Sequence, residues 1–179
     1  MKNLGFALRI LRRVDAEIDL TIHGPREHAT YWSQCEALIE RLPPNVQVSV
    51  GAAVEPGQVA GIMANHDLFF LPTLGENYGH VIAESLSVGT PVLISDQTPW
   101  RNLEADGFGW DVSLADETAF VNAIERVAAM TPAARAAWRE RIRSSIAPRL
   151  VTPEAIEQNR RLFLDAIENG QRRRSKRGT

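Results

Sequence analysis

The chain has 179 residues, of which 44% are hydrophobic and 23% charged, with a formal net charge of −2. This composition is that of an ordinary globular domain and leaves no room for a second full-size one. The single cysteine, Cys35, excludes an internal disulfide framework, and no apolar run approaches the ~20 residues needed to cross a bilayer.

Helix-like and strand-like segments alternate along the chain. The first helical pattern begins almost at Met1, where Leu4, Leu8 and Leu11 share one face. Four β-rich segments then each precede a segment with helical signals: DLTIH (19–23), VQVSV (46–50), DLFFL (67–71) and PVLIS (91–95). This alternation predicts an α/β fold with a doubly wound parallel sheet flanked by helices.

The order of the elements also predicts positions within the sheet. DLFFL and PVLI are almost continuously apolar, as strands covered on both faces are, so we place both in the middle of the sheet. A doubly wound domain normally starts with a strand that often lies centrally. Because this chain starts with a helix, either a strand from elsewhere fills that place or the recorded start lies downstream of the natural one.

The C-terminal third is predicted to be helical. Asp116 is a helix cap, and Thr131-Pro132 and Thr152-Pro153 each pair a cap with a proline at the first helical position. A row of arginines four residues apart is interpreted as a solvated helix stripe: Arg135, Arg139 and Arg143.

We assign residues 1–170 to one domain and residues 171–179 to a basic disordered tail. The tail is interpreted as a solvated end, with contact to anionic lipid at a membrane surface as the alternative. The rest of the chain is acidic, so no nucleic-acid partner is expected. Without a signal-peptide pattern the expected location is the cytoplasm, peripherally at the inner face of the membrane if the tail binds lipid.

The segment PTLGENYGHVIAESL (72–86) is the most informative stretch. It leaves the carboxyl end of a buried strand, crosses a polar loop with two glycines, and enters a helix at about Gly79 or His80. A helix N-terminus at that edge of a parallel sheet offers free backbone N–H groups to an anion. Glu76 remains in the loop and Glu84 projects one turn into the helix, and such carboxylates suit the recognition of sugar hydroxyls.

The run GENYGHVIAESLSVGTPVLISD resembles the paired-glutamate signature of retaining, nucleotide-sugar-dependent glycosyltransferases of GT-B architecture, especially family 4. The following QTPWRNL (97–103) resembles a subgroup that serves bacterial surface polysaccharide or lipopolysaccharide synthesis. The similarity extends from about Lys2 to Val127. It implies a Rossmann-like, donor-binding C-terminal half of a hexosyltransferase-type enzyme.

The resemblance also implies roles for individual residues. Glu84 would hold the ribose of a nucleoside-diphosphate sugar, and Glu76, the catalytic candidate, would face the donor sugar. Donor and phosphate contacts would come from the segment that follows it: Asn77, Tyr78, Gly79 and His80. A turn at Gly24-Pro25 would lie near the nucleotide, and Lys2 would bind the pyrophosphate. No metal and no cofactor are implied, since protein groups stabilise the charge and the nucleotide sugar is a substrate.

Parts of the family pattern are not in this sequence: a strand and an arginine ahead of Lys2, and the N-terminal acceptor-binding domain. We therefore expect the isolated chain to be inactive and its exposed cleft to favour weak self-association. The alternative is a non-catalytic nucleotide-binding subunit that needs a separate acceptor-binding chain. A dinucleotide-dependent dehydrogenase is disfavoured, because no Gly-x-Gly-x-x-Gly follows a strand.

The remaining candidates receive no chemistry. Cys35 is interpreted as a packing residue, and the four histidines lack the short spacing of a metal cluster. Trp100 and Trp110 are placed beside a loop, where they pack over the end of the domain or, as the alternative, stack on carbohydrate.

Overall fold

The computed structural model describes residues 2–26 and 28–150. The chain divides into two compact units, Met1–Ser144 and Ser145–Thr179. Of the described residues, the second unit contains helix α7 (Ala147–Leu150). The predicted helix that starts at Thr152-Pro153, the end of the predicted domain 1–170 and the basic tail 171–179 lie outside the described residues.

The first unit has the predicted α/β architecture, with parallel strands and flanking helices. Its strands are β1 (Ile18–His23), β2 (Val46–Gly51), β3 (Phe69–Leu71), β4 (Val92–Ser95) and β5 (Gly109–Val112). Its helices are α1 (Leu4–Leu11), α2 (Ala29–Ile39), α3 (Pro56–Ala64), α4 (His80–Ser87), α5 (Glu117–Ala128) and α6 (Pro132–Ser145). Among the described residues, no helix is both long enough and apolar enough to span a membrane.

The strands form two parallel sheets. β1 pairs with β2 from Ile18 opposite Val46 to His23 opposite Gly51. The second sheet has the order β3-β4-β5, with β4 in the centre. All four residues of β4 are buried, which confirms the central position predicted for PVLI. The same prediction for DLFFL is wrong, because β3 is an edge strand of its sheet and Phe69 and Phe70 remain partly exposed.

Strand β5 is absent from the sequence-based prediction, which placed Trp110 beside a loop. Trp110 lies in β5 opposite Leu93. The strand begins with Gly109, and a glycine and an aspartate in four residues give a weak strand signal. That glycine is required by the packing, since a Cβ at Gly109 would lie 1.9 Å from the carbonyl oxygen of Val92.

An aromatic cluster occupies the core between helices α1 and α5 and strand β3. The ring centroid of Phe120 lies 5.2 Å from that of Phe6, edge to face, and 5.8 Å from that of Phe70. Phe6 and Phe120 are buried. Helix α1 also packs against α2, which lies between β1 and β2 in the chain. This one helix therefore contacts a helix from the part of the chain that forms each of the two sheets, α2 and α5.

The helix caps lie where the sequence predicts them, but the environment of the arginine row differs from the prediction. The Asp116 carboxylate accepts the Ala119 amide and the Thr131 hydroxyl accepts the Ala134 amide, as predicted. The interpretation as a solvated stripe is wrong for Arg135 and Arg139, whereas Arg143 is exposed. Arg135 bonds Asp67 at 3.1 Å, while Arg139 donates to the carbonyls of Ala64 and His66 at the end of α3.

We expect Arg139→Ala to lower the free energy of unfolding by about 1–3 kcal/mol, because it leaves two partly desolvated carbonyls at a helix C-terminus without their charged donor. Urea unfolding measures the change. Arg41→Ala is the matched control, since Arg41 is exposed and its side chain makes no hydrogen bond to the described residues. Equal midpoints for the two variants would contradict the bracing role of Arg139.

Candidate functional site

The loop between β3 and α4 has the shape of an anion seat. It leaves the strand through buried Pro72 and Thr73, and α4 begins at His80 as predicted. Gly79 is the N-cap residue in the left-handed conformation (φ 80°, ψ 49°), and no side chain of the described residues caps the helix. The first amides of α4 therefore retain their capacity to bind an anion at the carboxyl edge of the sheet.

Buried hydroxyl groups fix the path of this loop. Ser95, at the end of β4, donates its hydroxyl to the carbonyl of Thr73 at 2.5 Å. Thr73 in turn donates its own hydroxyl to the carbonyl of Gly75 at 2.9 Å. The amide of Glu76 donates to the carbonyl of Gln97 at 3.1 Å. The loops that follow β3 and β4 are thus tied together, and Glu76 is held by its own backbone.

Trp100 supports the start of α4 by a hydrogen bond and by packing. Its indole Nε1 donates to the carbonyl of Tyr78 at 2.8 Å, and its ring is buried. A Cβ on Gly79 would lie 3.0 Å from that nitrogen and 2.8 Å from Cδ1 of Ile82. Both the conformation and the space therefore require glycine here. The sequence leaves two roles open for Trp100, packing and stacking on carbohydrate. The structure shows packing, because the ring is buried against the loop.

Tyr78 and His80 form the outer rim of the seat. Their ring centroids are 4.5 Å apart at an interplanar angle of 43°. His80 is exposed and Tyr78 half-buried, while Asn77 between Glu76 and Tyr78 is exposed. The side chains of Asn77, Tyr78 and His80 thus lie at or near the surface beside the start of α4.

The structure brings Lys2 to Glu76 across 74 positions of the chain. The Lys2 Nζ lies 2.5 Å from Oε2 of Glu76. The hydrogen bond from Lys2 is the largest cause that lowers the pKa of Glu76 below its usual value, and partial burial opposes it. The Lys2 side chain is 62% exposed and that of Glu76 22%, so an incoming anion has access to the ammonium group.

Among the described residues, no side-chain hydrogen bond joins Glu84 or the turn at Gly24-Pro25 to the Lys2–Glu76 pair. Glu84 is exposed one turn into α4, and its carboxylate makes no hydrogen bond to a described residue. Gly24 and Pro25 follow β1, where Nδ1 of His23 lies 3.2 Å from the carbonyl oxygen of Ala52. Across residues 2–26 and 28–150, no hydrogen bond links this turn to the Glu76 loop, and no three His, Cys, Asp or Glu side chains are grouped to hold a metal ion.

Sequence reasoning missed the supporting residues of the site. Thr73 and Ser95, whose hydroxyls hold the loop, were not singled out, and Trp100 was considered only for packing over the end of the domain or stacking on carbohydrate. A hydroxyl residue directly after a buried strand is the signal that could have identified Thr73 and Ser95, since a buried hydroxyl needs a hydrogen-bond partner. The bond from Trp100 to Tyr78 has no local sequence signal.

Comparison with known proteins identifies relatives of this arrangement. The sequence profile of the family described as "Glycosyl transferases group 1" matches residues 1–145. A phosphatidyl-myo-inositol mannosyltransferase of Mycobacterium leprae (strain TN) is 29% identical over 110 residues, which cover 60% of this chain and 28% of that protein.

Two solved structures share the fold. Anabaena Alr3699/HepE, in complex with UDP and glucose, superposes with a TM-score of 0.70 at 17% identity, over 92% of this chain and 45% of that one. WaaG, a glycosyltransferase involved in lipopolysaccharide biosynthesis, gives a TM-score of 0.61 at 21% identity, over 80% of this chain and 38% of that one. The chain thus spans less than half the length of these three relatives.

We expect Gly79→Ala to destabilise the chain by about 1–2 kcal/mol, because a Cβ strains the left-handed conformation and meets Ile82. Thermal or urea unfolding measures the loss. Gly57→Ala is the control, since Gly57 lies in the first turn of α3 with nothing near its Cβ position, and alanine has a higher helix propensity than glycine. The proposed strain would be refuted if both substitutions changed stability in the same direction by the same amount.

The Lys2–Glu76 pair predicts a pH-dependent difference between the wild type and Glu76→Gln. The pKa of Glu76 is lowered on folding, so the pair stabilises the fold above the unfolded pKa, and this contribution is lost as the pH falls through the folded pKa. We expect a wild-type advantage of about 0.2–1 kcal/mol at pH 7, because the Lys2 side chain is 62% exposed and solvent screens the pair. It should vanish in acid and shrink in high salt, as followed by urea unfolding at several pH values. If the wild type remained more stable than Glu76→Gln below the folded pKa of Glu76, the difference in stability would not come from the ion pair.

Proposed function

This chain belongs to the glycosyl transferases group 1 family, and on that premise we propose that it is the nucleotide-sugar-binding part of a retaining glycosyltransferase. The observation that carries the proposal is the uncapped N-terminus of α4 at the end of β3, with Glu76 and Lys2 beside it. The donor would be a nucleoside diphosphate sugar. The reaction would move its sugar to an acceptor hydroxyl.

The diphosphate is assigned to the α4 N-terminus. Transfer breaks the bond between the anomeric carbon and a phosphate oxygen, and negative charge then accumulates on the nucleoside diphosphate. Backbone amides at Tyr78, Gly79 and His80 and the Lys2 ammonium group supply positive potential at fixed positions, where it stabilises that charge. The hydrogen bonds donated by the Ser95 and Thr73 hydroxyls hold the loop in place, so the loop does not have to reorganise during transfer.

The two glutamates are assigned to different parts of the donor. Glu84 has no described partner and is exposed one turn along α4, so its carboxylate is available to accept two hydrogen bonds from a ribose. Glu76 lies at the loop and would accept hydrogen bonds from the transferred sugar. Asn77 and the turn at Gly24-Pro25 would complete the donor contacts.

The acceptor is assigned to a region outside this chain. The relatives are more than twice as long as the portion that this chain matches. We therefore expect residues 1–179 to bind the donor without transferring its sugar, since water exclusion needs a second wall over the cleft. We further propose a role in surface polysaccharide or lipopolysaccharide synthesis at the inner face of the membrane; the similarity to WaaG, which is involved in lipopolysaccharide biosynthesis, supports the pathway.

Calorimetric titration of the purified chain with UDP, GDP and NAD tests the donor assignment. We expect saturable binding of one nucleoside diphosphate and a loss of at least tenfold in affinity for Glu84→Ala, because a charged acceptor of two hydrogen bonds contributes about 1.5–3 kcal/mol. Glu140→Ala is the control, since Glu140 is an exposed helical glutamate that pairs with Arg143 away from the loop.

The other outcomes contradict parts of the proposal. Binding of NAD in place of a nucleoside diphosphate would overturn the donor class. Equal affinity for Glu84→Ala and Glu140→Ala would overturn the ribose role. Sugar transfer by the purified chain alone would show that no separate acceptor-binding region is needed.

A further inference from the structure

The first turn of α1 lacks the usual local cap. Its N-cap residue, Asn3, has the left-handed conformation (φ 61°, ψ 44°), and its side chain makes no capping hydrogen bond. An N-cap residue normally has an extended backbone, and its side chain accepts a first-turn amide. The amides of Phe6 and Ala7 donate to the Asn3 carbonyl. The amide of Gly5, which is buried in the same turn, needs an acceptor from outside the helix.

Tyr31 of helix α2 supplies that acceptor. The Gly5 amide donates to the phenol oxygen of Tyr31 at 2.9 Å, across 26 positions of the chain. The amide of Leu4 also hydrogen-bonds this oxygen. One phenol oxygen thus serves the first two amides of α1. The first turn of α1 is therefore attached to α2 by a side chain and not by its own sequence.

Cys35 fixes the direction in which the Tyr31 hydroxyl points. Burial is the largest cause that raises the pKa of the Tyr31 phenol and that of the Cys35 thiol, so both groups keep their protons at neutral pH. The hydrogen bond between them raises the pKa of Tyr31 and lowers that of Cys35, which identifies the phenol as donor and the sulfur as acceptor. The lone pairs of the phenol oxygen remain for the α1 amides.

This capped turn lies directly beside Lys2. Lys2 precedes the N-cap residue, and its Nζ lies 2.5 Å from Oε2 of Glu76. Because the Lys2 side chain is 62% exposed, packing does little to hold it in place. The contact of Phe6 with Phe120 fixes the body of α1, whereas helix ends fray unless their amides are satisfied. The position of Lys2 therefore depends on the first turn.

We propose that Tyr31 is a positioning residue of the donor site. Its hydroxyl holds the first turn of α1 and thereby keeps the Lys2 ammonium group beside Glu76. The importance of this position for the donor rests on the proposed function, in which Lys2 meets the diphosphate. The effect of Tyr31 on the Lys2–Glu76 pair needs no donor.

The variant Tyr31→Phe tests the proposal, because it removes the hydroxyl and keeps the ring. The pKa of Glu76 is measured in the full chain without nucleotide, by a carbon-13 NMR titration of its carboxyl group. We expect this pKa to rise from its wild-type value towards that in Lys2→Ala, since the hydrogen bond from Lys2 is the largest cause that lowers it.

The matched control is Trp32→Phe, which removes an aromatic hydrogen-bond donor from the same helix. The indole Nε1 of Trp32 donates to Glu36 at 2.6 Å, within α2 itself. The pKa of Glu76 is expected to stay at its wild-type value in this control.

Titration with UDP and GDP then connects Tyr31 to the donor. We expect Tyr31→Phe to weaken binding of the nucleoside diphosphate by about two- to tenfold, the range for one neutral hydrogen bond. Adding Tyr31→Phe to Lys2→Ala should cause no further loss, because the hydroxyl acts through Lys2.

Three outcomes would overturn the proposal. The first is a wild-type pKa of Glu76 in Tyr31→Phe. The second is an equal rise in Trp32→Phe, which would indicate a general loosening of α2. The third is a further loss of affinity when Tyr31→Phe is added to Lys2→Ala. If neither UDP nor GDP binds the wild type, the proposed function fails, and the pKa of Glu76 still decides the role of Tyr31.

Discussion

The contact of Phe120 with Phe6 and Phe70 is the interaction on which the first unit depends. It joins α1, α5 and β3, which come from the beginning, the end and the middle of the α/β region. Because α1 is fixed by this contact, the residue ahead of it arrives at the loop after β3. The Lys2–Glu76 pair is therefore a consequence of core packing, and its own contribution to stability is small.

A second constraint acts at the loop between β3 and α4. The regular backbone hydrogen bonds of the sheet end with the strands, and buried hydroxyl groups supply hydrogen bonds in their place. Ser95 and Thr73 connect two strand ends, and Trp100 holds the last carbonyl before the turn at Gly79. The polar surface at the α4 N-terminus thus rests on a rigid base. In the proposed function this rigidity matters because fixed dipoles stabilise developing charge without first having to reorient.

Local sequence patterns were sufficient for four strands, for the start of α4 at His80 and for the caps Asp116 and Thr131. Each of these depends on neighbouring residues alone. The edge position of β3, the contacts of Arg139 and the support from Trp100 depend on partners far along the chain, which periodicity does not encode. Lys2 and Glu76 each entered the sequence analysis through family resemblance, as separate ligands of the donor, and their ion pair was not predicted, since nothing local relates the two residues.

The large sequence separation between the residues of the aromatic cluster also determines when their contacts form during synthesis. Phe6 leaves the ribosome more than a hundred positions before its partner Phe120. At 5–20 residues per second the apolar face of α1 waits on the order of ten seconds for α5. During that interval the part of α1 that packs on α5 in the folded chain lacks this partner, and such transiently exposed apolar surface is what holding chaperones bind.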